Sequence, residues 1–258
     1  MKYKLLRASL LLLSLLFLSA CGRDPAIPTA ADQTESQPPS EPPVILAKTE
    51  DMGEDYLNSF IFFGESTTYH LKSRGVLQGG TETRQVWGPD NGTVNLDMTT
   101  TTLKIRYPDT GEYLTVSQAA ARKKPAYLVL TFGLNGVTQN IRLGKDYYKD
   151  CYRSLLDAIR FASPDTRIIL QSCFPVAENM DMSRYSCSLD QLNQSIDTVN
   201  GWVLELAEEE GLRYLNTAEI LKDEAGRLRL TYQNGDGYHL TREAYLEILT
   251  YIRTHGYR

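Results

Sequence analysis

The 258-residue chain is poor in the side chains from which metal and nucleotide sites are built. It has three histidines, His70, His239 and His255, and four cysteines, Cys21, Cys151, Cys173 and Cys187. No spacing among them matches the paired Cys or His ligands of a zinc site, so no metal is implied. There is no GxGxxG and no GxxxxGK followed by Ser or Thr, so the nucleotide-binding readings lack their motif and no cofactor is called for. Basic residues form no cluster. The formal charge is −5, and the first twenty residues carry three basic and no acidic side chains, leaving −8 on the remainder. That balance argues against nucleic acid as a partner, which demands a positive footprint. It also leaves no basic face to hold the chain on a membrane. The longest apolar run, Leu10 to Leu18, is too short to span a bilayer comfortably.

What the N-terminus does contain is an ordered signal. Lys2, Lys4 and Arg7 precede the apolar run, and Leu18-Ser19-Ala20-Cys21 follows it. A basic head, a short apolar middle and small residues at the cut mark residues 1–20 as a secretory signal peptide. The last four residues resemble the bacterial lipobox. That resemblance implies cleavage before Cys21, lipid on its sulfur and a place on the extracytoplasmic face of a bacterial membrane. Residues 21–49 hold Pro25, Pro28, Pro38, Pro39, Pro42 and Pro43 among Ser, Thr, Ala and Gln, and read as a disordered tether. Residues 50–258 are one domain's worth of chain, long enough for a sizeable core. Outside the cytoplasm a disulfide is permitted. Cys173 ends a predicted strand and Cys187 lies in the loop after it, so this pair is the expected bridge, with Cys151 a buried thiol in a helix.

Periodicity orders the domain. Phe60-Ile61-Phe62-Phe63 is a short continuous apolar run stopped by Gly64, and reads as a buried strand. A helix follows from Ser66 to about Arg74. Arg84 to Trp87 reads as a short strand before the turn Gly88-Pro89-Asp90-Asn91-Gly92. Residues 93–106 fit either extended or irregular chain. A helix is expected from Thr115 to Arg122. Ala126 to Phe132 is apolar on both faces, as covered parallel strands are. Lys145 to Phe161 and Leu189 to Glu210 are amphipathic helices, with strands at Arg167 to Phe174 and Leu212 to Leu215. Thr241 to Thr254 closes the chain as a helix capped by Thr241. Strands separated by helices predict an α/β fold: three layers, with a mostly parallel sheet of about five strands at the centre.

Three segments carry candidate chemistry. Ser66 follows the first strand in Gly64-Glu65-Ser66, where a helix N-terminus favours developing negative charge. As a single feature it reads equally as a helix cap. Asn135 follows a central strand in Gly133-Leu134-Asn135-Gly136. Asp236 precedes His239 by three residues in Asp236-Gly237-Tyr238-His239, a spacing that lets the carboxylate turn back on Nδ1 and leave Nε2 free as a base. Parallel topology puts all three at one edge of the sheet, where such folds bind ligands.

Taken in order, these segments resemble the SGNH or GDSL-type hydrolases, over about Ser59 to Gly256. The resemblance implies the flavodoxin-like fold of that family, with Ser66 as nucleophile, His239 as base and Asp236 as its partner. It also implies an oxyanion hole from the Ser66 amide, the Gly92 amide and the Asn135 side chain, with Gly88 the rival for the glycine. The chain departs from the pattern at Glu65, where the family has aspartate, at Thr67 for leucine, and at Gly136 for a common aspartate. The activity implied is a serine esterase cleaving acyl groups, acetyl first, from a glycan or a small molecule. A non-catalytic glycan-binding protein on the same scaffold, or a lipase or thioesterase, are the alternatives.

Overall fold

The computed structural model describes residues 43–98 and 103–257. Five strands form one parallel sheet in the order β2-β1-β5-β6-β7: β1 Phe60–Gly64, β2 Val86–Trp87, β5 Tyr127–Thr131, β6 Arg167–Gln171 and β7 Arg213–Leu215. A separate antiparallel pair, β3 Ile105–Arg106 and β4 Tyr113–Leu114, packs beside β2's end of the domain through the Arg106 N–H, which donates to the Gly88 carbonyl at 3.3 Å. Eight α-helices are described: α1 Gly53–Asn58, α2 Ser66–Ser73, α3 Val116–Lys123, α4 Val137–Leu143, α5 Lys145–Ala162, α6 Leu189–Glu209, α7 Ala218–Leu221 and α8 Arg242–Arg253. None of the described helices is long and apolar enough to cross a membrane.

Strand alternation divides the core into two. Ile61, Phe63, Leu128, Leu130, Ile168 and Leu170 face α3, α5 and α6. Phe60, Phe62, Val129 and Ile169 face the other way, against α1, α2, α7 and α8. The sheet is therefore covered on both sides, which is why its strands are apolar throughout rather than alternating. The stripe Tyr148, Tyr152, Leu155, Leu156 and Ile159 of α5 is wholly buried, as is Leu192, Ile196, Val199, Val203 and Leu206 of α6. Caps fall at the helix starts: Thr115 and Ser188 each make a capping box with a glutamine three residues on, and the Thr241 hydroxyl accepts from the Ala244 N–H.

Three expectations are revised. The folded chain begins before residue 50: Ile45 bridges to Tyr214, the Leu46 N–H donates to the Tyr214 carbonyl at 2.9 Å, and Leu46 is buried. The apolar triplet Val44-Ile45-Leu46 docks beside β7 and satisfies an otherwise open edge. The expected Cys173–Cys187 bridge is absent, because both are free thiols, as is Cys151. Cys173 points into the core and its thiol donates to the Phe132 carbonyl at 2.9 Å, while Cys187 is only partly buried. The helices α1 and α4 were not anticipated. The expected signal peptide, Cys21 and most of the expected tether lie outside the described residues.

Candidate active site

The site begins at the end of β1. Gly64 has no room for a side chain, since a Cβ there would overlap the Thr131 carbonyl and the Thr68 hydroxyl. This lets β1 run hard against β5 and turn at once into α2, with Ser66 as the first helical residue. The first amides of a helix lack intrahelical acceptors, so the Ser66 N–H stands at an electropositive end.

Glu65, just before it, is buried and aimed at the neighbouring loop. Its carboxylate accepts from the amides of Gly133 at 2.8 Å, Leu134 at 3.1 Å and Asn135 at 2.9 Å. Burial raises its pKa to about 7, against the opposing pull of those three donors. The residue before Ser66 thus ties the loop after β1 to the loop after β5. Asn135 is held further by its side chain, whose Nδ2 donates to the Val94 carbonyl at 3.0 Å and meets the Thr93 hydroxyl at 3.4 Å.

The histidine arrives on a tight loop before α8. The Asn234 N–H donates to the His239 carbonyl at 2.9 Å, closing residues 234–239. Within it Asp236 Oδ1 accepts from the Tyr238 and His239 amides, at 3.1 and 2.9 Å, and Oδ2 lies 2.7 Å from His239 Nδ1. Burial alone would raise the Asp236 pKa, but the His239 and Tyr238 donors outweigh it and hold it below the usual carboxylate value. His239 Nε2 is 3.0 Å from Ser66 Oγ. A serine hydroxyl, an imidazole and a carboxylate are therefore in hydrogen-bond sequence, brought together from opposite ends of the domain.

Two further residues extend this chain of contacts. In the amide orientation that satisfies both groups, Asn234 donates to Asp236 Oδ1 at 3.2 Å and accepts from the Arg74 guanidinium. His70, one turn along α2 from Ser66, lays its ring against that of His239, with centroids 4.2 Å apart; the Tyr238 ring lies 3.9 Å away from the same imidazole. Burial, then the neighbouring His239 and Arg74, push the His70 pKa down to about 4, and its Nδ1 is buried without a partner. His70 was not among the candidates picked out from the sequence. Its four-residue spacing from Ser66 was the available signal, since residues so spaced share a helix face.

Gly92 does not fit the role expected of it. Its amide donates to the Pro89 carbonyl at 2.9 Å and so is engaged in its own turn. Gly88, the rival, directly follows β2, and its carbonyl accepts from Arg106.

The sequence from residue 62 to residue 246 matches the model of the GDSL-like lipase/acylhydrolase family. The chain belongs to that family. It is accordingly a carboxylic ester hydrolase of the GDSL type, and its sheet is the α/β fold of SGNH hydrolases. Among solved structures it is similar to a candidate platelet activating factor from Streptococcus pneumonia, at 18% identity and a TM-score of 0.53, covering 75% of this chain and 81% of that one. It is also similar to a GDSL-like lipase from Bacteroides thetaiotaomicron, at 17% identity, TM-score 0.46, and 77% and 87% coverage. No curated protein matches the sequence. At these identities the structural likeness speaks to the fold.

Proposed function

We propose that this GDSL-family hydrolase is a serine esterase removing short acyl groups, acetyl first, from a carbohydrate outside the cytoplasm, held at the membrane by lipid on Cys21. The observation that carries the catalytic part is the 3.0 Å contact between His239 Nε2 and Ser66 Oγ, continued at 2.7 Å from Nδ1 to Asp236.

In this reading His239 takes the Ser66 proton as Oγ attacks the ester carbonyl carbon. Asp236 keeps the Nδ1 proton in place and stabilises the imidazolium. The oxyanion lies against the Ser66 amide and the Asn135 side chain, displacing the weak Thr93 contact at 3.4 Å. His239 then returns its proton to the leaving alcohol oxygen, leaving acyl-Ser66. Water, activated by the same imidazole, hydrolyses that ester and restores the serine. An open cleft of about 430 Å³ beside Asn135 and Asp236 has mixed walls, polar at Asn179 and Arg184 and apolar or aromatic at Met180 and Tyr185, a lining that fits a sugar with its polar edges and apolar faces.

The test is a series of p-nitrophenyl esters from acetyl to decanoyl, on wild type and Ser66→Ala. The expected result is highest kcat/KM for acetyl and, for Ser66→Ala, a fall of about 10³-fold or more. Equal rates for the two proteins would overturn the assignment of Ser66. A preference for decanoyl would overturn the short-acyl assignment.

A further inference from the structure

Helix α2 carries more of the site than its first residue. Ser66, His70 and Arg74 follow one another at four-residue intervals, so they lie on one face over about 12 Å of helix. Arg74 is the C-cap of α2. All three meet the same loop, residues 234–239: Ser66 at His239 Nε2, His70 at the His239 ring, and Arg74 at Asn234. The loop's other side rests on the chain after β6. There the Ala177 N–H donates to the Gly237 carbonyl at 2.7 Å, and a Cβ on Gly237 would come within 2.6 Å of Met180 Cα. The histidine loop is thus held between two elements, of which α2 also carries Ser66. Any slip of the loop along α2 changes the 3.0 Å reach from His239 to Ser66.

The two contacts from α2 constrain different parts of the Ser66–His239–Asp236 sequence. A bond from Nδ1 to Asp236 fixes one point of the imidazole and leaves the ring free to rock about it. Two rings limit that rocking: Tyr238 at 3.9 Å, inclined by 40°, and His70 at 4.2 Å, inclined by 34°. Tyr238 is on the loop itself, so His70 is the one that refers the imidazole to α2. The titratable and charged groups around His70 are His239, Arg74 and Asp236, and burial with the first two drives its pKa down to about 4. Neutral above that pH, His70 sets no positive charge against an imidazolium forming on His239. Its Nδ1 is buried without a partner, so no hydrogen bond depends on that nitrogen. Arg74 acts at the other end. It donates to the Asn234 side-chain oxygen, and the Asn234 amide donates to Asp236 Oδ1 at 3.2 Å. Oδ1 also takes the Tyr238 and His239 amides, which leaves Oδ2 to His239 Nδ1. A guanidinium placed directly on the carboxylate would compete with the imidazole for Oδ2. Reaching it through an amide anchors the aspartate and keeps that acceptor free.

We infer that His70 and Arg74 are positioning residues for the hydrolysis proposed above: His70 is a neutral wall that keeps the His239 ring in line with Ser66, and Arg74, acting through Asn234, sets the Asp236 carboxylate against Nδ1. Neither is assigned a contact with substrate. The inference rests on the esterase reading for its effects on rate, whereas its effect on the Asp236–His239 bond is read without turnover.

The full chain has three histidines, so the His239 Nδ1 proton is followed by NMR and assigned by its loss in His239→Ala. Its signal is expected to be sharp in wild type and in His70→Phe, and broadened by exchange with water in His70→Ala, Arg74→Met and Asn234→Ala. Hydrolysis of p-nitrophenyl acetate is measured in parallel. His70→Ala is expected to lose about 10–100-fold in kcat, and His70→Phe to recover most of that loss by restoring a flat ring. KM should stay within about twofold, because His239 serves acylation and deacylation alike. Arg74→Met and Asn234→Ala are each expected to lose about tenfold, and the double variant no more than the worse of the two, since both cut one connection. His70→Leu, nearer in volume, replaces His70→Ala if that variant does not fold. An unchanged His70→Ala, or a His70→Phe as impaired as His70→Ala, overturns the wall; losses that multiply in the double variant overturn the tie through Asn234. If wild type and Ser66→Ala release acetate equally, the esterase reading falls and the NMR signal alone decides the positioning: broadening in the three variants sustains it, and a sharp Nδ1 proton in all of them overturns it.

Discussion

Glu65 shows how one residue can connect chemistry to stability. The family places an aspartate here, and the longer side chain reaches three amides of the loop that carries Asn135. Glu65→Gln replaces an acceptor oxygen with N–H groups that face other N–H groups. The loop must shift, and with it the Asn135 side chain. Turnover is expected to fall by up to about 10²-fold, the effect of an ångström-scale misplacement, with Ser66 and His239 untouched. The same residue governs a pH dependence. Burial raises its pKa from 4.5 to about 7, so the folded chain binds this proton more tightly than the unfolded chain does. Its contribution to stability is therefore full below pH 4.5 and is lost as the pH rises through about 7. Melting temperatures across that window should decline in wild type and run flatter in Glu65→Gln. An equal slope in both would place the titration elsewhere.

At the scale of elements, the contact between α5 and α6 is made of charge above a buried apolar seam. Lys149 is almost fully buried on α5, and its ammonium reaches Glu205 at 2.9 Å and Glu209 at 2.8 Å on α6, while Arg153 and Arg160 pair with Glu209 and Glu210. Glu205 and Glu209 keep nearly half of their exposure, so breaking this cluster should cost less than the loss of a fully buried pair. Lys149→Ala is expected to lower stability by about 1–3 kcal/mol, read as a shift in denaturant midpoint at constant slope. Lys149→Met, which keeps the packed stem, should cost less. These helices were also the most legible part of the sequence. A stripe of five apolar residues over four turns has no competing interpretation, and the strands at Phe60 and Tyr127 were continuous apolar runs that only a doubly covered sheet accommodates. The parts that escaped were short or lacked a stripe. Of the seven residues in α4 only Val137 is buried, and β3 and β4 are two residues each, set by neighbours and not by their own pattern. The site divides in the same way. Ser66, Asp236, His239 and Asn135 were visible as local motifs at strand ends. The ring contact of His70 with His239 and the bond from Arg74 to Asn234 join segments far apart in sequence, which no local spacing encodes, and the engagement of the Gly92 amide is set by the geometry of its own turn.

At the scale of the whole molecule, the question is where the folded domain begins. A proline-rich stretch ordinarily marks a tether, and composition alone extended it to residue 49. The sheet draws the boundary earlier: Ile45 and Leu46 pair with Tyr214, the Tyr214 N–H donates to the Val44 carbonyl at 2.8 Å, and the Thr49 N–H donates to the Thr254 carbonyl at 2.6 Å. The N-terminal segment thus fastens both β7 and the end of α8. A chain starting at Pro43 keeps these bonds, whereas one starting at Glu50 uncovers the edge of β7 and the apolar surface beneath Leu46. Burial of one leucine and two or three backbone bonds is worth about 3–5 kcal/mol, a large share of a domain's margin. The shorter chain is therefore expected to melt well below the longer one and to aggregate through its exposed strand, while the Pro43 chain retains the kcat/KM of the full protein on acetyl esters. If the anchor is the lipid on Cys21, Cys21→Ser in the complete chain moves the esterase from the membrane fraction to the soluble one without altering its turnover. Should the Glu50 chain prove as stable as the Pro43 chain, the segment is only resting on the sheet; should Cys21→Ser remain with the membrane, something other than that cysteine holds the enzyme there.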